Sequence, residues 1–255
     1  MNKYDKSEIE AMINEPDATV GEVATRLPAA KAAFERLGID YCCGGSGKLR
    51  AELADKNITV EQLIEAIQQT EAVRASDTDR DWSTTSVTEL VNHILTTHHV
   101  FMKHELPRID GLLTKVTKAH GEQHGQMLGE LTAAFRGLRD EIEQHLFKEE
   151  QILFPMIAAT DAFMSGRGER PVSHCGTVLN PIRQMEFEHE NAGQALARMR
   201  KLTDNYNLPD DGCLMFATLY EALDAMEKDL HEHIHLENNI LFPAAAEQEA
   251  AVTGA

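Results

Sequence analysis

Basic residues are scarce in this chain: 24 Lys and Arg stand against 42 Asp and Glu, a formal charge of −18 over 255 residues. Such a surface repels phosphate backbones and anionic lipid, and no basic patch offsets it, which argues against nucleic acid as a partner. Aromatic residues make up only 5%, with a single Trp. Leu, Ile, Met and Ala carry the apolar load instead, a balance suited to helices rather than sheets. Four Cys in a chain of this length make no disulfide framework. No apolar run approaches the roughly 20 residues of a membrane span. The stretch Met1-Asn-Lys-Tyr-Asp-Lys-Ser-Glu8 has no apolar core of a secretory signal. These absences predict a cytoplasmic protein with no nucleic-acid or membrane partner.

What the chain does contain is a repeat: His145-Leu-Phe-Lys-Glu149-Glu-Gln-Ile-Leu-Phe-Pro155 and His233-Ile-His-Leu-Glu237-Asn-Asn-Ile-Leu-Phe-Pro243. Each copy sets an imidazole and a carboxylate four residues apart, so both project from one face of a helix. Each then runs into Ile-Leu-Phe-Pro, an apolar turn closed by a residue that interrupts helical bonding. Two such pairs supply what a pair of bridged iron ions needs, nitrogen donors at the ends and carboxylates between. One His-x-x-x-Glu alone is no more than a helix-stabilising pair. The duplication is what points to metal.

Residues 1–75 predict a small helical domain. Thr19-Val-Gly-Glu22 and Thr59-Val-Glu-Gln62 read as capping boxes, and Pro28 marks a kink or boundary in the helix between Val23 and Leu37. That helix ends at Gly38, and Ile39-Asp-Tyr-Cys-Cys-Gly-Gly45 forms a glycine-rich turn before a helix that starts near Leu49. Residues 72–83 lose apolar periodicity and read as a linker. From 84 to 248 come four helical patterns, about 86–118, 122–159, 178–204 and 212–246, and only 160–177 is a long, Gly- and Pro-broken connection. The expected fold is therefore all-α, an up-down-up-down four-helix bundle behind a small helical domain.

The apolar seams carry the candidate ligands. Leu131, Phe135, Leu138, Ile142, His145, Glu149 and Ile152 form one stripe. Ile182, Met185, His189, Ala192, Leu196 and Met199 form a second, and Leu219, Leu223, Met226, Leu230, His233, Glu237 and Ile240 a third. His145, Glu149, His189, His233 and Glu237 thus sit at core positions, where ionisable groups cost several kcal/mol unless something compensates them. Imidazole with carboxylate suits iron, manganese or zinc, and without thiolates on these helices an iron–sulfur cluster is disfavoured there. On the first helix Val87, Val91, Ile94 and Leu95 put the seam nearer His98, with His99 about 100° further round. His93 and His104 share that helix.

These residues resemble a known family, the iron–sulfur cluster repair di-iron proteins (the group that includes ScdA, YtfE and DnrN). The likeness runs nearly the whole length, through Asp40-Tyr-Cys-Cys-Gly-Gly45, Lys148-Glu-Glu-Gln-Ile-Leu-Phe-Pro-Met156, Met185-Glu-Phe-Glu-His-Glu-Asn-Ala-Gly193 and the repeat ending at Pro243. It implies a ScdA_N-like domain before a hemerythrin-like bundle that holds two non-haem iron ions, oxo- and carboxylate-bridged. Carried over, the histidine ligands fall on His99, His145, His189 and His233, and the bridging carboxylates on Glu149 and Glu237. In the family the first ligand precedes a Leu-Pro pair by seven residues, and Leu106-Pro107 then selects His99 over His98. Glu141 and Glu188 are expected in a second shell or along an access path. Vicinal Cys42 and Cys43 read equally as a packed turn or as redox or metal-transfer thiols, and the resemblance tips them towards function. His174, Cys175 and Cys213 are taken as incidental or structural. The implied role is repair of iron–sulfur clusters damaged by oxidative or nitrosative stress, by iron donation, on damaged cluster proteins and by a homodimer. Nitric oxide binding or reduction, and sensing of a diatomic gas, are the alternatives.

Overall fold

The computed structural model describes residues 6–73, 81–170 and 176–253, and every regular element among them is helical. None of these helices is long and apolar enough to cross a membrane. His174, Cys175 and most of the expected linker lie outside the described residues. The chain forms two compact units, Met1–Ser86 with Ile234–Ala244, and Val87–His233 with Ala245–Ala255.

The first unit holds α1 (Lys6–Asn14), α2 (Val20–Arg26), α3 (Ala29–Leu37), α4 (Leu49–Asp55) and α5 (Val60–Val73). Thr19 and Glu22 close the capping box that starts α2: the Glu22 amide donates to Thr19 Oγ1 at 3.2 Å, and the Thr19 amide to Glu22 Oε2 at 2.9 Å. Thr59 and Gln62 do the same ahead of α5, at 3.2 and 2.8 Å. Such caps satisfy amides that a helix start leaves without intrahelical partners. Pro28 separates α2 from α3, and α3 stops at Gly38, whose φ of 64° is the left-handed turn that glycine adopts at least cost. Ile9, Ile13, Val23, Leu27, Phe34, Leu49, Leu63 and Ile67 fill the core between these helices. The stretch 234–244 joins this unit through Asn239, whose side-chain amide donates to the carbonyls of Tyr41 and Cys42 at 3.3 Å each. A Cβ at Gly21 or Gly45 would lie 2.2 Å from Asn239 Oδ1, so a side chain at either position would displace the Asn239 amide from its bonds.

In the second unit α6 (Val87–Ile94) continues through a π-helical turn, Leu95–His99, into α7 (Val100–Lys148). A second π-turn, Glu149–Leu153, leads to α8 (Phe154–Met164). Then come α9 (Leu179–Leu202) and α10 (Leu214–Leu236), which runs at Ile234 into the stretch grouped with the first unit; that stretch carries a third π-turn, Glu237–Leu241, and continues into α11 (Phe242–Thr253). Helical bonding runs through all 49 residues of α7, which as a straight rod would span about 70 Å. It is not straight. Thr88 bonds Asp161, His99 bonds Glu150 and Asp110 bonds Arg136. Partners fall in number as their mates rise, which makes two antiparallel arms that reverse near residues 123–125. The break expected between residues 118 and 122 is therefore a bend within continuous helical bonding. His145 pairs the second arm with α9 through Glu188, and Arg200 pairs α9 with α10 through Glu227. His98 joins α10 to the first arm through Asp229. Among the described residues four helical runs surround one apolar core, an all-α bundle.

The π-turns correct the seams. Ile152 is 42% exposed whereas Leu153 is buried, and Ile240 is only half-buried whereas Leu241 is buried. Leu95 is likewise half-buried. A π-turn holds more residues than an α-turn, so it pushes the inward face one residue further along the chain. α9 has no π-turn, and its stripe from Ile182 to Met199 is buried as expected.

Candidate metal centre

All six candidate ligands are buried: His99, His145, Glu149, His189, His233 and Glu237. They fall into two groups of four, His99, Glu149, His233 and Glu237, and His145, Glu149, His189 and Glu237, each with its ligand atoms within 4.8 Å of one another. Glu149 and Glu237 belong to both. Each opens a π-turn, and His99 closes the third. π-Turns are local insertions that a helix tolerates where a side chain must be re-aimed, and here they stand at three of the six positions.

Two of the imidazoles are held from behind. His99 Nδ1 lies 2.8 Å from Glu150 Oε1, which also takes Lys103 Nζ at 2.5 Å. His145 Nδ1 lies 2.9 Å from Glu188 Oε2, and Lys148 and Gln184 donate to the other Glu188 oxygen. Each bond fixes the ring and leaves Nε2 facing inward, the carboxylate–histidine support usual behind a metal-bound imidazole. Partial burial pushes the Glu188 carboxyl up, but the bonds from His145, Lys148 and Gln184 outweigh it and hold its pKa at about 2. Burial likewise opposes ionisation of Glu150, and Lys103 and His99 overcome it.

Inside the core, His145 Nε2 stands 3.2 Å from His189 Nε2 and 3.3 Å from Glu149 Oε1. Glu149 Oε2 lies 3.4 Å from His99 Nε2 and 4.0 Å from His233 Nε2. Neither Glu149 oxygen makes a hydrogen bond among the described residues, and the side chain is fully buried. A buried carboxylate so placed costs several kcal/mol by itself, and a cation between it and the imidazoles would offset that cost. The donors are nitrogen and oxygen only, a set that suits iron, manganese or zinc. The residues fit a metal pair.

His98 stands outside both groups. Its ring stacks on His233 at 5.6 Å and its Nδ1 meets Asp229 Oδ1 at 3.0 Å. Glu141 is exposed on α7, whereas Glu188 touches a candidate ligand directly. Glu150, Lys103 and Asp229 escaped the sequence reading, because no spacing signals a partner on another helix. Cys213, read as structural, is exposed, and its Sγ lies 3.1 Å from His120 Nε2. That bond and the amides that open α10 lower its thiol pKa.

The chain is similar to known proteins over most of its length. Residues 90–245 match the family Hemerythrin HHE cation binding domain, and residues 16–71 match ScdA_N, a domain of unknown function. A probable iron-sulfur cluster repair protein of Haemophilus influenzae is 35% identical, over 88% of this chain and 94% of its own length. The iron-sulfur cluster repair proteins YtfE of Citrobacter koseri and Dickeya chrysanthemi are each 34% identical. Those two alignments cover 90% and 91% of this chain, and 96% and 98% of the relatives. With the first family match spanning more than half its length, the chain belongs to the hemerythrin HHE cation-binding family, among the iron–sulfur cluster repair proteins.

Proposed function

We propose that this protein holds two iron ions on His99, His145, Glu149, His189, His233 and Glu237, and gives up iron to rebuild damaged iron–sulfur clusters in other proteins. The observation that carries the reading is the sharing of Glu149 and Glu237 between both four-residue groups. Two carboxylates common to two sites suit bridges between two ions. The names of its relatives as iron-sulfur cluster repair proteins support the repair role.

When bound, the metal pair supplies the iron that is handed on. The chain's own residues set its hold. Glu150 and Glu188 orient His99 and His145 through Nδ1, so that Nε2 needs no search for its place. Glu149 and Glu237 hold by charge, and protonation of a carboxylate loosens that hold. Glu188 orients His145 through the bond to Nδ1, and Lys148 and Gln184 hold Glu188 in turn. Nitric oxide and a second copy of the chain are proposed as ligand and partner on family likeness alone.

The test is to incubate iron-loaded protein with an enzyme whose cluster has been damaged by nitric oxide or peroxide, and to follow its activity. Recovery with the parent chain and none with His145→Ala is the expected result. Equal recovery with both would sink the proposal.

A further inference from the structure

Asp40, Cys42 and Cys43 bring three ligand atoms within 4.8 Å of one another in the first unit. The two sulfurs are 3.9 Å apart. Two thiolates on one tetrahedral ion, each about 2.3 Å from it, would stand roughly 3.8 Å apart. A disulfide asks for something else. Its Cα atoms usually stand at least about 4.4 Å apart, while neighbouring Cα atoms across a trans peptide are held at about 3.8 Å. The pair is spaced to chelate, not to bond to itself.

The surrounding turn is built to keep that spacing. Asp40 Oδ1 accepts the amides of Cys42 and Cys43 at 3.0 Å each and the Cys42 thiol at 3.2 Å. From the other side Asn239 holds the Tyr41 and Cys42 carbonyls, and Asn238 donates to the Cys42 carbonyl at 3.3 Å. Cys42 is buried, Cys43 half-buried and Asp40 exposed. The three donors thus run from the interior to the surface, and the Asp40 side is open to solvent. A hydrogen bond with Cys43, and then burial, push the Cys42 thiol pKa well up.

We infer that Asp40, Cys42 and Cys43 form a second metal site, for a single thiophilic divalent ion such as zinc or ferrous iron. Binding replaces two S–H bonds by two metal–sulfur bonds and releases two protons, with no change of oxidation state. The Asp40 carboxylate adds the third donor, and the open side leaves a position for water or an incoming ligand. As a station for iron in transit the site rests on the repair reading above; as an ion site it stands on its own geometry.

Cobalt(II) added to the full chain tests it, in a background with Cys175→Ser and Cys213→Ser. The bundle donors are nitrogen and oxygen, so a sulfur-to-cobalt charge-transfer band reports the cysteine pair alone. One equivalent of thiolate-bound cobalt per chain is expected, with two protons released. Cys43→Ser, at the half-buried position, should abolish the band while circular dichroism stays unchanged. Asp40→Asn keeps the acceptor that shapes the turn and should weaken binding. Absence of the band, or its survival in Cys43→Ser, would overturn the site. A protein that restores damaged clusters yet shows no band refutes this inference only; a band in a protein that restores nothing refutes the repair reading only.

Discussion

His99 Nδ1 meets Glu150 Oε1 at 2.8 Å, while its Nε2 faces Glu149 Oε2 at 3.4 Å. Two neighbouring glutamates thus address opposite nitrogens of one ring. One holds the ring from outside the core, and the other waits within it. Replacing Glu150 by Gln keeps size and an acceptor oxygen but removes the charge. Metal affinity should fall roughly 10- to 100-fold, as it does when such outer partners are lost. Competition with a chelator measures it, and helicity by circular dichroism should not move. Unaltered affinity would mean that the bond is incidental to metal binding.

The sequence displayed the helices, their caps and five of the candidate ligands because all of these obey local rules. Thr19, Thr59 and Gly38 cap helices as their residue types require, and His145, His189 and His233 ride stripes of ordinary helical period. Apolar periodicity loses its phase where the helix itself changes period. His98 instead of His99, Ile152 instead of Leu153 and Ile240 instead of Leu241 are one displacement seen three times, each at a π-turn. Nothing in residue type announces such a turn. Glu150, Asp229 and Asn239 were invisible for another reason, since their partners lie far away in the chain.

That displacement can be measured. Leu153→Ala removes a buried side chain and should cost about 2–5 kcal/mol, read as a lower denaturant midpoint at unchanged slope. Ile152→Ala, at a position 42% exposed, should stay within about 0.5 kcal/mol of the parent. The reverse order would return the seam to the simple helical period and remove the π-turn at Glu149.

Glu149 gives a sharper test of why charge is tolerated in this core. It is fully buried, and its oxygens face imidazole nitrogens without a hydrogen bond among the described residues. Its presence costs stability until a cation arrives. If the facing imidazoles are neutral without metal, Glu149→Met should leave the metal-free protein at least as stable as the parent, because a carboxylate without hydrogen bonds is removed from the core. Iron should raise the melting temperature of the parent far more than that of the variant. Thermal unfolding with and without chelator reads both effects. A metal-free variant less stable than the metal-free parent would show that the carboxylate is at home in the core without metal.

A second buried carboxylate, Glu227, is satisfied by protein alone. It accepts from Arg200 Nε at 2.5 Å and from the Tyr206 hydroxyl at 2.7 Å, and the Arg200 guanidinium lies 4.9 Å from the Tyr206 ring centre. Burial, and then the Glu227 charge, raise the Tyr206 pKa far above its ordinary value, and burial moves Tyr220 to about 12. Tyr206→Phe takes a donor from a buried charged acceptor and should cost roughly 1.5–3 kcal/mol at neutral pH. The pH dependence separates this bond from simple packing. A phenol whose pKa is raised by folding contributes fully below about pH 10, where it is protonated in both states. Above that pH the unfolded chain releases the proton and the folded chain keeps it, so stability falls as pH rises. The parent should therefore lose stability above pH 10 with one more proton in its slope than Tyr206→Phe does. Denaturant melts between about pH 8 and about pH 11, a span that brackets the free phenol's pKa near 10, decide it, and parallel curves would mean that Tyr206 ionises as freely folded as unfolded.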